Sequence, residues 1–358
     1  MIGILLAALS GFTGAQMLYR IQALRGIAAY GVVLFHIVEH LRGSYGIDVP
    51  RFTIGAAGVD LFFVISGFIM VHVTKDHEGP GSFAAKRFGR IVPLYWIATA
   101  SAIVLIAVAP WSFPKADLST SSIVSSLLFL PAVDLAGGIQ PILFVGWTLQ
   151  YEMAFYALFA LALFAPPDRR ISTVTALLLA GWLLANSLPP GTASTFYADA
   201  IVLEFLAGVL IGAAANHHRL PSPRLASYLV VLAITGFVVG EFLLRAYELH
   251  RVFAAGIPAS FLIYAAVALD LRKPRQNPTL LTHLGDSSYS AYIWHPIVIV
   301  VVTAICQKLF GQTIAAAILF SGLAAISTII GSEVSLRLIE RPSSQIVRSL
   351  TRNRTPAS

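Results

Sequence analysis

The chain has 358 residues, of which 57% are hydrophobic and only 11% charged, and its mean hydropathy is +0.79. Soluble domains are about 45–50% apolar and about 25% charged, so a soluble globular enzyme, a disordered protein and a nucleic-acid-binding module are excluded. A formal net charge of +7 bears on anionic partners less through its sum than through its placement, and a lone cysteine, Cys306, excludes an internal disulfide or a cysteine metal cluster.

Apolar runs of about 20 residues recur along the chain, the mark of membrane helices and not of the alternating segments of about ten residues in a barrel. The expected fold is an all-α, polytopic bundle. Residues 1–16 form an apolar leader without a basic start, a poor signal peptide. Met17 is the more natural beginning, and the leader is a mis-called start or an interfacial segment. About ten spans follow, over 24–40, 55–73, 91–109, 144–165, 171–188, 197–215, 225–242, 252–269, 287–306 and 313–335. The run Ser121 to Leu130 is too short to cross and reads as a half-inserted or surface segment. One membrane domain, 17–342, is thus expected between the leader and a basic tail, 343–358.

Charge placement sets the expected orientation. With the N-terminus in the cytoplasm, inside segments carry seventeen of the 24 Lys and Arg and outside loops six. That asymmetry favours both termini inside, in agreement with an even number of spans.

A titratable group at bilayer depth costs at least about 2.5–3.5 kcal/mol on insertion scales, which makes each one a functional candidate. Arg25, His36, Asp60, His72, Glu152, Glu204 and His295 fall in the spans. Arg25 and His36 are eleven residues apart on one helix, about 20° from the same face and about 16 Å apart along the axis. That spacing puts Arg25 near the inner edge and His36 near the midplane. His295 and Glu152 reach similar depth from opposite sides, so three proton-handling groups are expected to converge. A neutral imidazole is the form a general base requires. Interhelical hydrogen bonding, or a proton relay in a transporter, uses the same residue types, and the physics of the spans alone does not separate these readings.

Five local strings narrow the choice: "RIQALRGIAAYGVVLFH" with Arg25-x10-His36, "GVDLFFVISGFIM" from Gly58, "KRFGRIVPLYW" from Lys86, "WTLQYEMAFY" from Trp147 and "SYSAYIWHP" from Ser288. Together and in this order they resemble the acyltransferase family 3 membrane proteins over about residues 20–342. The motif positions carry over as Arg25 and His36; Gly58, Asp60, Phe63, Ser66 and Gly67; Arg87, Arg90 and Pro93; Trp147, Glu152 and Tyr156; and Tyr289, Tyr292 and His295. Thr148 stands where the family usually has Ser, and it keeps the hydroxyl. Within the family, the short length and "LEFLAGVLIG" at Leu203 look most like exopolysaccharide acetyltransferases of Gram-negative bacteria. No extracytoplasmic SGNH-type domain is seen.

The resemblance implies a bacterial inner-membrane O-acyltransferase, with an acyl-CoA donor (most often acetyl-CoA) and a carbohydrate acceptor, polysaccharide or lipid-linked. No permanently bound cofactor, metal or nucleic acid is implied. Transfer from a thioester to a hydroxyl needs a base, an oxyanion partner and a grip on the CoA phosphates. His36 is the expected base, and Arg25 holds the thioester side or a phosphate. Lys86, Arg87 and Arg90 suit the CoA phosphates, and equally topology or lipid headgroups. Glu152 positions the acceptor or holds the tautomer of His36, and His295 is a second proton carrier or oxyanion donor. Asp60 organises helix packing, with Ser66, Trp147, Tyr156, Tyr289 and Tyr292 as supports and Glu204 a lesser acceptor contact. A proton-coupled transporter is the rival, but the inverted halves with broken spans expected of one are not visible.

Overall fold

A computed structural model of the protein describes residues 17–247, 250–274 and 277–352. The leader at 1–16 and residues 353–358 of the tail lie outside them, as do Arg275 and Arg354 of the inside charge count. The described residues are helical almost throughout, with only an isolated bridge between Val133 and Ile139. The chain is a multi-pass membrane bundle.

The order is α1 (Tyr19–Tyr45), a 3-10 turn (Thr53–Ala57) leading into α2 (Gly58–Val73), α3 (Pro80–Val108), the short α4 (Thr120–Leu127) and α5 (Trp147–Ala162). Then come α6 (Arg170–Ser187), α7 (Thr192–Tyr197), α8 (Val202–Asn216) and α9 (Pro223–Tyr247). A π-turn (Val252–Gly256) opens α10 (Ile257–Arg272), followed by α11 (Leu280–Asp286), α12 (Ser288–Phe310) and α13 (Ile314–Ser335). A second π-turn (Leu336–Glu340) bends the chain into α14 (Arg341–Arg352).

Among the described residues, seven helices are long and apolar enough to cross a bilayer. The expected count of ten holds for helices but not for full-length ones. The predicted spans at 144–165, 171–188 and 197–215 correspond to α5, α6 and α8, of 16, 18 and 15 residues. At 1.5 Å per residue these reach about 22–27 Å, short of the roughly 30 Å hydrocarbon layer. Ser121 to Leu130 falls largely in α4, as a short segment laid against its neighbours: Trp96 Nε1 donates to Leu127 O at 2.9 Å and Gln150 Nε2 to Leu130 O at 2.7 Å.

Lipid offers helices no hydrophobic drive to associate, so close backbone packing must supply it. The α2–α8 seam shows this. A Cβ on Gly67 would lie 2.1 Å from Phe205 O, and one on Gly208 the same distance from Val64 O. Only glycine allows the two backbones to meet, and this contact holds Ser66 at its place on the inner wall. The start of α1 is fixed differently: the buried Asp270 carboxylate of α10 accepts from Arg20 N at 2.9 Å and Ile21 N at 3.2 Å, and pairs with the Arg20 guanidinium at 3.0 Å. Two free N–H groups of the first turn are satisfied by a residue 250 positions away.

Candidate active site

A cavity of about 220 Å³ opens among α1, α2, α3, α5 and α12, at the end of the bundle where α1 begins. Arg25, Arg87 and Arg90 line it with Glu152, Tyr156 and Tyr289. Arg87 and Arg90 are one turn apart on α3, so both reach the same wall. The Arg87 guanidinium sits over the Phe83 ring at 5.4 Å, which fixes its plane. Its Nε is a buried donor with no partner in the protein. Arg25 accepts support from within its own helix, donating to Gln22 Oε1 at 3.2 Å, and Gln22 in turn donates to Asp286 at 2.7 Å. Three guanidinium groups therefore face one small space, which suits a multiply anionic ligand.

Beyond this cavity lies a histidine pair. The His36 and His295 rings have centroids 5.1 Å apart, tilted by 30°. His295 is fully buried; its Nδ1 faces Ala291 O at 3.3 Å and its Nε2 has no partner. With Nδ1 carrying the proton toward that carbonyl, Nε2 presents a lone pair. Tyr292, one turn earlier on α12, connects the pair to the first cavity. It lines that cavity, and its ring lies 5.8 Å from His295. The Thr148 hydroxyl lies 3.0 Å from both the Tyr292 hydroxyl and Val145 O, and Tyr292 donates to the same Val145 O at 3.2 Å. The hydroxyl that Thr148 retains is thus in use. On its other side His36 borders a second cavity, of about 340 Å³, at the opposite end of the bundle.

Several expected residues lie elsewhere. Glu152 does not join the histidine pair: Ser66 donates to its Oε1 at 3.2 Å and Tyr156 donates to the same oxygen, turning the carboxylate to the arginine cavity. Two groups converge, not three. Lys86 is not on the cavity wall, because Glu78, from the turn before α3, captures its ammonium at 2.7 Å. Trp147 packs edge-on to Phe63 and Tyr151 and reaches neither cavity. Tyr289 lines the arginine cavity and donates to Ile91 O at 2.7 Å.

Asp60 lies in an ion pair away from both cavities. It is fully buried and pairs with Arg251, whose Nε and Nη2 lie 3.0 and 2.6 Å from its two oxygens. Arg251 also donates to Ala56 O at 2.8 Å. Glu204 is buried and lines neither cavity; its Oε1 lies 2.6 Å from where a Cβ on Gly256 would be. The sequence reading did not single out Arg251, nor Glu340, a buried carboxylate that accepts from Ser290 at 3.0 Å beside the arginine cavity. Its signal was an acid among the basic residues after α13.

Comparison with known proteins shows the family. A family model described as an acyltransferase domain matches residues 18–334. The exopolysaccharide production protein ExoZ of Rhizobium meliloti is 38% identical over 275 residues, covering 75% of this chain and 82% of that protein. A putative membrane-bound transacylase, BcsY, of Komagataeibacter xylinus is 28% identical, covering 77% and 71% of the two chains. Acyltransferase MdmB of Streptomyces mycarofaciens is 24% identical, covering 78% of each. No solved structure gives a significant match. The chain belongs to the acyltransferase domain family.

Proposed function

From that membership, we propose that the protein is an inner-membrane O-acyltransferase that moves acetyl from acetyl-CoA to a hydroxyl of a cell-surface or secreted polysaccharide, or of its lipid-linked precursor. One observation carries the reading: Arg25, Arg87 and Arg90 share a single cavity, and Tyr292 on its wall lies 5.8 Å from His295 of the His36–His295 pair. The unpartnered Arg87 Nε is a donor that a CoA phosphate would satisfy. The likeness to a protein of exopolysaccharide production supports a polysaccharide acceptor. The Lys and Arg asymmetry supports placing the arginine end in the cytoplasm, where the donor is found.

In this mechanism the arginines hold the CoA phosphates and direct the thioester toward Tyr292. The acceptor oxygen attacks the thioester carbonyl as His36 takes the hydroxyl proton. A tetrahedral oxyanion forms, and the Tyr292 hydroxyl on the cavity wall, which donates to Val145 O at 3.2 Å before substrate binds, turns its proton to it. Collapse breaks the C–S bond, and the departing thiolate receives the proton from His36. His295, its ring tilted by 30° at 5.1 Å, keeps the His36 ring in place and offers a second proton-accepting nitrogen. Glu152, fixed by Ser66 and Tyr156, balances part of the positive charge in the donor cavity.

The three basic residues before the third span are predicted to separate. Arg87→Ala and Arg90→Ala each lose charge-assisted contacts worth about 1.5–3 kcal/mol, so acetyl-CoA should bind roughly tenfold to a hundredfold more weakly. Lys86→Ala should change affinity by less than about twofold, since that ammonium is held by Glu78. Titration calorimetry on purified variants reads all three. Equal losses at the three positions would return the segment to a topology signal. The biological test is the acetyl content of surface polysaccharide in a deletion strain: a fall restored by the wild-type gene is expected, and an unchanged content contradicts the acceptor assignment.

A further inference from the structure

We infer that the second cavity is the acceptor subsite and that it takes a single glycosyl unit of a carbohydrate, an assignment that rests on the acyl-transfer reading of His36. At about 340 Å³ it falls at the lower end of ligand-pocket sizes, which suits one sugar ring and not a stretch of polymer.

The chemistry of its wall is sorted from that of the first cavity. The arginine cavity has three guanidinium groups, while the second has none. A ligand carrying several phosphates belongs in the first. The second offers what a pyranose requires: the aromatic rings of Phe113 and Phe144 for its C–H face, and neutral hydrogen-bonding groups from Ser112, Gln140 and His40 for its hydroxyls. Ser112 is the telling member. It is buried on this wall, and its Oγ has no hydrogen-bond partner. A buried hydroxyl without a partner is costly unless a ligand supplies one.

Asp134 also lines the cavity but is already engaged, since its Oδ1 accepts from Ala136 N and Gly138 N, both at 2.8 Å. Lys115 stands exposed on the same wall. The two connecting segments that build the cavity are fastened to each other and to α4. Leu135 N donates to Lys115 O at 3.0 Å, and Ile142 N donates to Ser126 Oγ at 3.0 Å. The subsite is therefore held in place before a ligand arrives. Because His36 borders it directly, a hydroxyl seated there meets the base from the side opposite the donor.

The test places a removable block in the cavity after folding. Ala116→Cys adds a thiol on the cavity wall in a connecting segment, and the natural Cys306 is buried, so a methanethiosulfonate reagent carrying a benzyl group selects the new site. Donor and acceptor probes are labelled acetyl-CoA and the polysaccharide extracted from a strain lacking this gene. Modification is expected to cut transfer at least tenfold, leave acetyl-CoA affinity within twofold, and be reversed by dithiothreitol. Ser112→Ala should raise the acceptor concentration needed for half-maximal transfer without changing that for acetyl-CoA. Transfer that survives modification, or a block that abolishes acetyl-CoA binding instead, overturns the assignment. Unmodified protein that neither binds acetyl-CoA nor releases CoA overturns the acyl-transfer reading itself, and this subsite with it.

Discussion

His36→Gln should leave acetyl-CoA binding and the amount of folded protein near wild type while lowering acyl transfer by about 10²–10⁴-fold, the usual worth of a general base. Glutamine keeps similar bulk and hydrogen-bonding ability but cannot accept the acceptor's proton. The geometry sets this expectation apart from that for a packing residue. The His36 ring is not sealed in the core; it borders the second cavity, with its ring 5.2 Å from Phe144 and 5.1 Å from His295. Transfer per unit of folded protein, with donor affinity measured in parallel, reads the outcome. A variant with near-normal specific transfer would move the base to His295, whose Nε2 has no partner in the protein.

Asp60→Ala should have the other large effect, this time on folding. Its carboxylate is fully buried and receives two charge-assisted hydrogen bonds from Arg251. Removing one partner of a fully buried pair costs about 3–5 kcal/mol; the lower end applies here, because the Arg251 side chain keeps about a third of its surface exposed, and that is still a large share of the stability of an ordinary protein. The expected result is little recoverable protein and a melting midpoint well below wild type. Asp60→Ala with Arg251→Met removes both charges and should recover much of the loss, because neither charge then remains unpaired. A single variant of normal yield and midpoint would show that Asp60 does not fasten α2 to the turn before α10. Glu204→Gln keeps the shape of its neighbour and should be far milder.

The helices and the residues of the site were largely legible in the sequence, because both depend on local pattern. Apolar runs mark spans whatever their partners, and Arg25 and His36, paired by spacing on one helix, border the two cavities. Helix length was less legible. Hydropathy alone does not show that the chain enters α5 through a 3-10 turn at Phe144–Gly146, which leaves that helix 16 residues long. Long-range pairing was not legible at all. Asp60 meets Arg251 across 191 positions and Ser290 meets Glu340 across 50, contacts set by how helices pack and not by spacing along any one of them. The same limit applies to Glu152. The donors that turn it from His36 sit on α2 and on its own next turn. The second cavity lies in connecting segments whose course no periodicity specifies.

The central claim is that a CoA thioester held by the arginine cavity is broken at His36. The most direct measurement is release of free CoA thiol from acetyl-CoA by purified protein in detergent, with water as the acceptor. The account predicts slow, saturable release by wild type, a higher half-saturating acetyl-CoA concentration in Arg90→Ala, and release at the buffer rate in His36→Gln despite normal donor binding. Release by His36→Gln equal to that of wild type, or a wild-type protein that binds no acetyl-CoA, would contradict it.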